Sequence, residues 1–106
     1  MSTPQLEPDA LKNRITRFRE VDAELHERLG GLMMQNGDPK GAVREYQALL
    51  AMHPIDLAGS HYNLGRAFLA AGQKDQARDE AVASLEAAPN FKPAQKLLLE
   101  TSGGEK

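Results

Sequence analysis

The chain has 106 residues, which bounds it at one domain, and it is 41% hydrophobic but only 5% aromatic. A formal net charge of −2 gives no global electrostatic case for nucleic acid, which calls for a strongly basic domain or stripe. The absence of cysteine excludes disulfides and thiol chemistry, and no apolar run approaches the ~20 residues of a membrane span.

Residues 1–8 carry Pro4 and Pro8 and read as an extended leader without the apolar stretch of a signal peptide, so a cytoplasmic protein is expected. Asp9 is then a candidate N-cap. From there to Asn36 no proline intervenes, and Leu11, Ile15, Phe18, Val21, Leu25, Leu29 and Leu32 fall at the three-and-four spacing of an amphipathic helix. Gly37-Asp38-Pro39 ends that helix and starts the next, with Gly at C′, Asp at N-cap and Pro at N1. The second helix is predicted over 39–52, burying Ala42, Val43, Tyr46, Leu49 and Leu50. His53-Pro54-Ile55-Asp56 stops it, with a solvated His53 and with Asp56 as the next cap. A third helix follows over 57–71, a fourth over 74–88 ending at Pro89-Asn90, and a short fifth over 93–101. No segment reads as a strand.

The chain also repeats itself at an offset of 35 residues. His26-x-x-Leu29-Gly30 returns as His61-x-x-Leu64-Gly65, Gly37 as Gly72, Ala42 as Ala77, Leu50 as Leu85, and Pro54 as Pro89. Small residues and a proline held in register over that length mean two copies of one helical hairpin. The expected organisation is all-α, about five helices in antiparallel helix-turn-helix repeats. The leader occupies 1–8, a helical extension 9–22, the first repeat 23–57, the second 58–91, a capping helix 92–101 and a disordered tail 102–106.

These residues resemble the tetratricopeptide repeat, whose pattern is W-x2-L-G-x2-Y, then A-x3-F, then P. The second copy supplies His61-x2-Leu64-Gly65-x2-Phe68, Ala77, Ala81 and Pro89; the first supplies His26-x2-Leu29-Gly30-x2-Met33, Ala42-x3-Tyr46 and Pro54. Both Trp positions are His, Met33 replaces one aromatic residue and Ala81 another, which shrinks the core without disturbing the register. The 35-residue spacing, against the family's usual 34, adds one residue to the turn after Pro54. The resemblance places His26 and His61 inside their helix pairs as half-buried core substitutes. One repeat separates them, so no metal is expected, and no cofactor.

No nucleophile sits beside a base, no paired carboxylates mark a cleft, and Gly30-Gly31 lies inside a helix rather than after a strand. The scattered Asp and Glu read as solvated, and the chain reads as non-catalytic. The resemblance implies a concave groove lined by the first helix of each repeat and occupied by a peptide or protein segment. Tyr62, Asn63, Arg66 and Leu69 fall within one arc of about 120° on the third helix, opposite His61, Leu64, Gly65 and Phe68. Glu27, Arg28 and Met34 are the corresponding groove residues of the first repeat. One subgroup of the family grips chaperone C-terminal carboxylates with Lys, Asn, Asn, Lys and Arg. Only Asn63 matches it here; Glu27, Gly31, Pro93 and Leu97 stand at the other positions.

The first helix begins about fourteen residues before the repeat requires it and would span ~28 residues, or about 42 Å. Leu11, Ile15 and Phe18 on the overhang have no partner within two repeats. They predict self-association, as a dimer, through a stripe contributing about 1.5–3 kcal/mol per buried side chain. A break near 20–22 with fold-back onto the repeats is the alternative. Lys12, Arg14, Arg17 and Arg19 flank the stripe, and Glu7, Asp9, Glu20, Asp22 and Glu24 dilute their charge, so membrane surface and nucleic acid are not expected partners. Another class of function also fits: a structural C-terminal appendage of a larger, possibly enzymatic, bacterial protein.

Overall fold

The computed structural model describes residues 8–102, with the backbone alone over residues 8–20. Five helices follow one another: α1 (Pro8–Gln35), α2 (Pro39–Ala51), α3 (Leu57–Ala70), α4 (Lys74–Ala87) and α5 (Lys92–Ser102). The helix starts at Pro8, so Pro8 does not belong to the leader and Asp9 lies within the first turn rather than capping it. At the other end Ser102 closes α5 and does not belong to the tail. The leader over 1–7 and the tail over 103–106 lie outside the described residues.

Short connections set neighbouring helices antiparallel, and each packs on the next; α3 also touches α5. Two of the turns are copies. Gly37 and Gly72 take φ of 74° and 81°, a left-handed conformation that glycine adopts without steric cost. Asp38 N–H then donates to Met33 C=O at 2.7 Å, and Gln73 N–H to Phe68 C=O at 2.8 Å, which closes a Schellman motif at each helix end. The Asp38 carboxylate accepts from Gly41 N–H at 2.9 Å and the Asp56 carboxylate from Gly59 N–H at 2.8 Å, as expected of N-caps.

The turns between hairpins differ by one residue: 52–56 joins α2 to α3, and 88–91 joins α4 to α5. The longer turn is the 35-residue spacing made visible, and it places His53, exposed, at φ 55°. Histidine is among the residue types that tolerate this region.

The core is a continuous seam of Ala42, Val43, Tyr46, Leu49, Leu64, Ala67, Phe68 and Ala77, with Met33, Met34, Leu50 and Leu69 packed half-buried around it. Each hairpin solves the close approach of its two helices differently. A Cβ on Gly30 would lie 2.5–2.9 Å from the Tyr46 ring, so the ring occupies the space glycine leaves. In the second hairpin the ring position is Ala81, yet the gap is filled: a Cβ on Gly65 would meet a Leu97 methyl at 2.7 Å. Where Ala81 replaces a ring, α5 thus supplies Leu97 to the space beside Gly65.

α1 is one continuous helix of 28 residues, which excludes the break near 20–22. Of its apolar stripe, Val21, Leu25 and Leu32 are exposed and Leu29 half-buried; the side chains of Leu11, Ile15 and Phe18 lie outside the described set.

Candidate functional site

The half-buried histidines are held by an interaction that periodicity does not reveal. His26 Nδ1–H donates to Glu45 Oε1 at 2.7 Å, and His61 Nδ1–H donates to Glu80 Oε1 at 2.7 Å. A carboxylate only accepts, so the ring proton sits on Nδ1 in both. Glu45 and Glu80 are thus not on solvated faces; each reaches across its hairpin to the opposite helix, nineteen residues back. The pairs are copies at the 35-residue offset and tie the helices of each hairpin together beside Gly30 and Gly65. In a double-mutant cycle of His61→Ala and Glu80→Ala, we expect a coupling of about 1 kcal/mol, below the roughly 1.5–3 kcal/mol of a hydrogen bond to a charged group because the pair is partly exposed. Coupling indistinguishable from zero by denaturant titration would remove the pair from the list of hairpin ties.

On the other face of α3, Tyr62, Arg66 and Leu69 line a cavity of about 260 Å³ with Pro93, Lys96 and Glu100 of α5. Its wall is ordered by stacking. The Tyr62 ring stands edge-on to Phe91, centroids 5.7 Å apart at 87°, and the Arg66 guanidinium lies 5.7 Å from the centre of the same Tyr62 ring. Both geometries are favourable for an aromatic quadrupole. Arg66 is exposed while Tyr62 is half-buried, so the site offers a fixed aromatic plane under an accessible cation. Lys96 and Glu100 contribute charge from α5; sequence reasoning named Pro93 and Leu97 there but missed these two. Their signal was available, since Pro93, Lys96 and Glu100 recur at three and four residues and so share one helix face.

The first-repeat residues do not join this cavity. Glu27 lines a separate, larger one of about 540 Å³, formed where α1 passes the 52–56 turn, with Ala23, Leu49, Met52, Ile55 and Ser60 among its walls. Arg28 is exposed and pairs with Glu24 on its own helix at 2.8 Å. Met34 is half-buried against the core, and Asn63 is half-buried and lines neither cavity. Tyr46 belongs to the core and lines neither cavity. Burial pushes its hydroxyl pKa above the usual 10, with nearby Arg66 opposing the rise and Glu27 adding to it. Its hydroxyl would be only 4.0 Å from a Cβ on Gly31. The residue read as purely core therefore also feels the charges of Arg66 and Glu27.

A profile of the tetratricopeptide repeat matches residues 33–100, from the last turn of α1 into α5. No curated protein matches the chain. None of the described helices is long and apolar enough to cross a membrane.

Proposed function

The chain belongs to the tetratricopeptide repeat family, and from that premise we propose that it is a non-catalytic module that binds a peptide or protein segment in the groove between α3 and α5. Repeats of this family generally mediate protein–protein interaction. The two repeats are taken as 23–57 and 58–91, with 92–101 as the helix that caps them. The observation that carries the reading is the α3–α5 cavity, where Tyr62, Arg66 and Leu69 meet Lys96 and Glu100. An aromatic plane with a cation over it and both signs of charge nearby suits an extended segment bearing an apolar side chain next to a carboxylate. Asn63, Glu27, Arg28 and Met34 would act outside this central contact. We place the module in the cytoplasm, without a nucleic-acid or membrane role.

Selection of peptides from a random display library tests this. Binders enriched on the wild-type chain are expected to lose at least tenfold in affinity, about 1.4 kcal/mol, on the variant Tyr62→Ala with Arg66→Ala. Both side chains lie outside the core, so the variant's melting temperature is expected to stay within a few degrees of wild type. Undiminished binding to a folded double variant would remove the groove from consideration.

The second part of the reading is self-association through α1, the helix carrying Leu11, Ile15 and Phe18. Its described continuation supports this: Val21, Leu25 and Leu32 leave more than half of each residue in contact with solvent. The same open face favours one other reading, in which the chain is a structural C-terminal appendage of a larger, possibly enzymatic, bacterial protein.

A further inference from the structure

The two copies of the repeat treat three corresponding positions in opposite ways. At the 35-residue offset Glu27, Asp56 and Ser60 of the first copy become Tyr62, Phe91 and Gln95 of the second. The second copy joins its elements there with its own side chains. The rings of Tyr62 and Phe91 meet edge to face at 5.7 Å, and the Gln95 amide donates to the Pro89 carbonyl at 3.0 Å. In the first copy two carboxylates stand where the aromatic pair stands, and like charges do not close on one another. All three residues of the first copy line the cavity of about 540 Å³ where α1 passes the 52–56 turn.

The lining sets the chemistry of an occupant. The carboxylates of Glu24, Glu27 and Asp56 border the cavity, and no Lys or Arg does. Glu27 is exposed and has no ion pair among the described residues. Asp56 uses one oxygen to cap α3 at Gly59 and keeps the other. Arg28, the next residue along α1, bonds Glu24 as an exposed pair and does not line the cavity. Such a pair is weak and screened by salt. Ser60 adds an independent observation. It is only 6% exposed and lines the cavity, and its hydroxyl has no hydrogen-bond partner among the described residues. A polar group withdrawn from water is costly to leave unpaired, so this hydroxyl calls for a partner from the cavity side. Leu49, Met52 and the wholly exposed Ile55 make the wall otherwise apolar. A volume of this size lies within the range of ligand pockets.

An apolar cavity bordered by acids fits a side chain that is apolar along its stem and cationic at its tip. Arginine and lysine both lay their stems on apolar surface in this way. The guanidinium is the better match, being more weakly hydrated and carrying five donors in a planar fork. That is enough for two carboxylates and a hydroxyl.

We propose that this cavity takes an arginine side chain from a segment of another protein, its guanidinium donating to Glu27, Asp56 and the Ser60 hydroxyl. An apolar neighbour of that arginine rests on Ile55. The site shares no lining residue with the α3–α5 cavity and does not depend on the groove reading.

The probe is the blocked peptide acetyl-Gly-Leu-Arg-Leu-Gly-amide, titrated into isotopically labelled chain and followed by amide NMR shifts. Shifts are expected at residues 23–27 and 52–60. The same peptide with citrulline, a neutral analogue of arginine, is expected to bind roughly tenfold more weakly. Glu27→Gln with Asp56→Asn is expected to abolish that preference, and asparagine preserves the cap on α3. Glu27→Gln alone alters an exposed side chain and should weaken the arginine peptide roughly threefold or more, which keeps the test open if the double variant is unstable. Equal binding of the two peptides to the wild-type chain would reduce the contact to an apolar one and overturn the proposal. Shifts confined to α3 and α5 around Tyr62 and Lys96 would overturn it while favouring the groove. No shift with peptide up to about 5 mM would also overturn it, and would leave the groove reading as it stands.

Discussion

Replacing Gly30 by alanine is expected to destabilise the fold, and replacing its neighbour Gly31 by alanine to stabilise it. Alanine is the better helix former at both positions, by about 0.8–1 kcal/mol. At Gly31 nothing opposes that gain, because the nearest atom a Cβ would meet is the Tyr46 hydroxyl at 4.0 Å. At Gly30 three ring atoms of Tyr46 would stand 2.5–2.9 Å away, closer than any Cβ contact can be. The ring is buried, so making room requires displacing it or spreading α1 from α2, and overpacking of this kind costs about 1–3 kcal/mol or more. Three contacts this short put the cost in the upper part of that range, about 2–3 kcal/mol, and the net for Gly30→Ala is a loss of about 1–2 kcal/mol once the propensity gain is subtracted. In a domain of this size each kcal/mol moves the melting temperature by roughly 4–8 °C. Thermal unfolding followed by circular dichroism should therefore move in opposite directions for the two variants. If Gly30→Ala melts at or above wild type, the ring is free to swing aside and does not set the spacing of α1 and α2.

A larger loss is expected for Leu64→Ala. Leu64 is buried on α3 at the centre of the seam between the hairpins, and the residues around it come from three helices. Removing three carbons there forfeits their transfer energy and leaves a cavity that helices already spaced by alanines cannot close. Leu→Ala at such sites costs about 2–5 kcal/mol, against a total of roughly 5–15 kcal/mol for a typical domain. Few repeats share the load in this chain, so the variant should be partly unfolded near physiological temperature. Leu99→Ala is the control. Leu99 is 71% exposed on α5, and its truncation should stay within about 0.5 kcal/mol of wild type. Urea titration distinguishes the two by midpoint at equal slope. Comparable losses at both positions would mean that α5 is held by something other than the buried seam.

The helices themselves were legible because their punctuation is local. Asp38 and Asp56 cap through their own neighbouring amides, Gly37 and Gly72 take the positive φ that other residues resist, and the proline positions repeat. The one-residue difference between the two hairpin connections followed from counting alone. The His–Glu ties were not legible, since Glu45 and Glu80 reach across to another helix and one-helix periodicity carries no information about that. The same limit explains Leu97. It fills the space beside Gly65 that the loss of a ring at Ala81 leaves open, and nothing within the second repeat announces a donor on the next helix.

The candidate site divides along the same line. That Tyr62, Arg66 and Leu69 share a face of α3 follows from 100° per residue. That the facing wall is Pro93, Lys96 and Glu100, that Arg66 lies over Tyr62, and that Glu27 opens instead onto the 52–56 turn depends on how α5 and α1 lean against α3. By itself the sequence determined the helix boundaries to within a residue, the repeat register and the family, because caps, glycines and apolar spacing act through bonds a few residues long. Only the tertiary structure decided which faces are closed and which remain open, because burial is a property of helix pairs. Leu64 and Leu25 look alike in the sequence; one is buried in the seam of helices and the other stays half in solvent, with no described helix against that face.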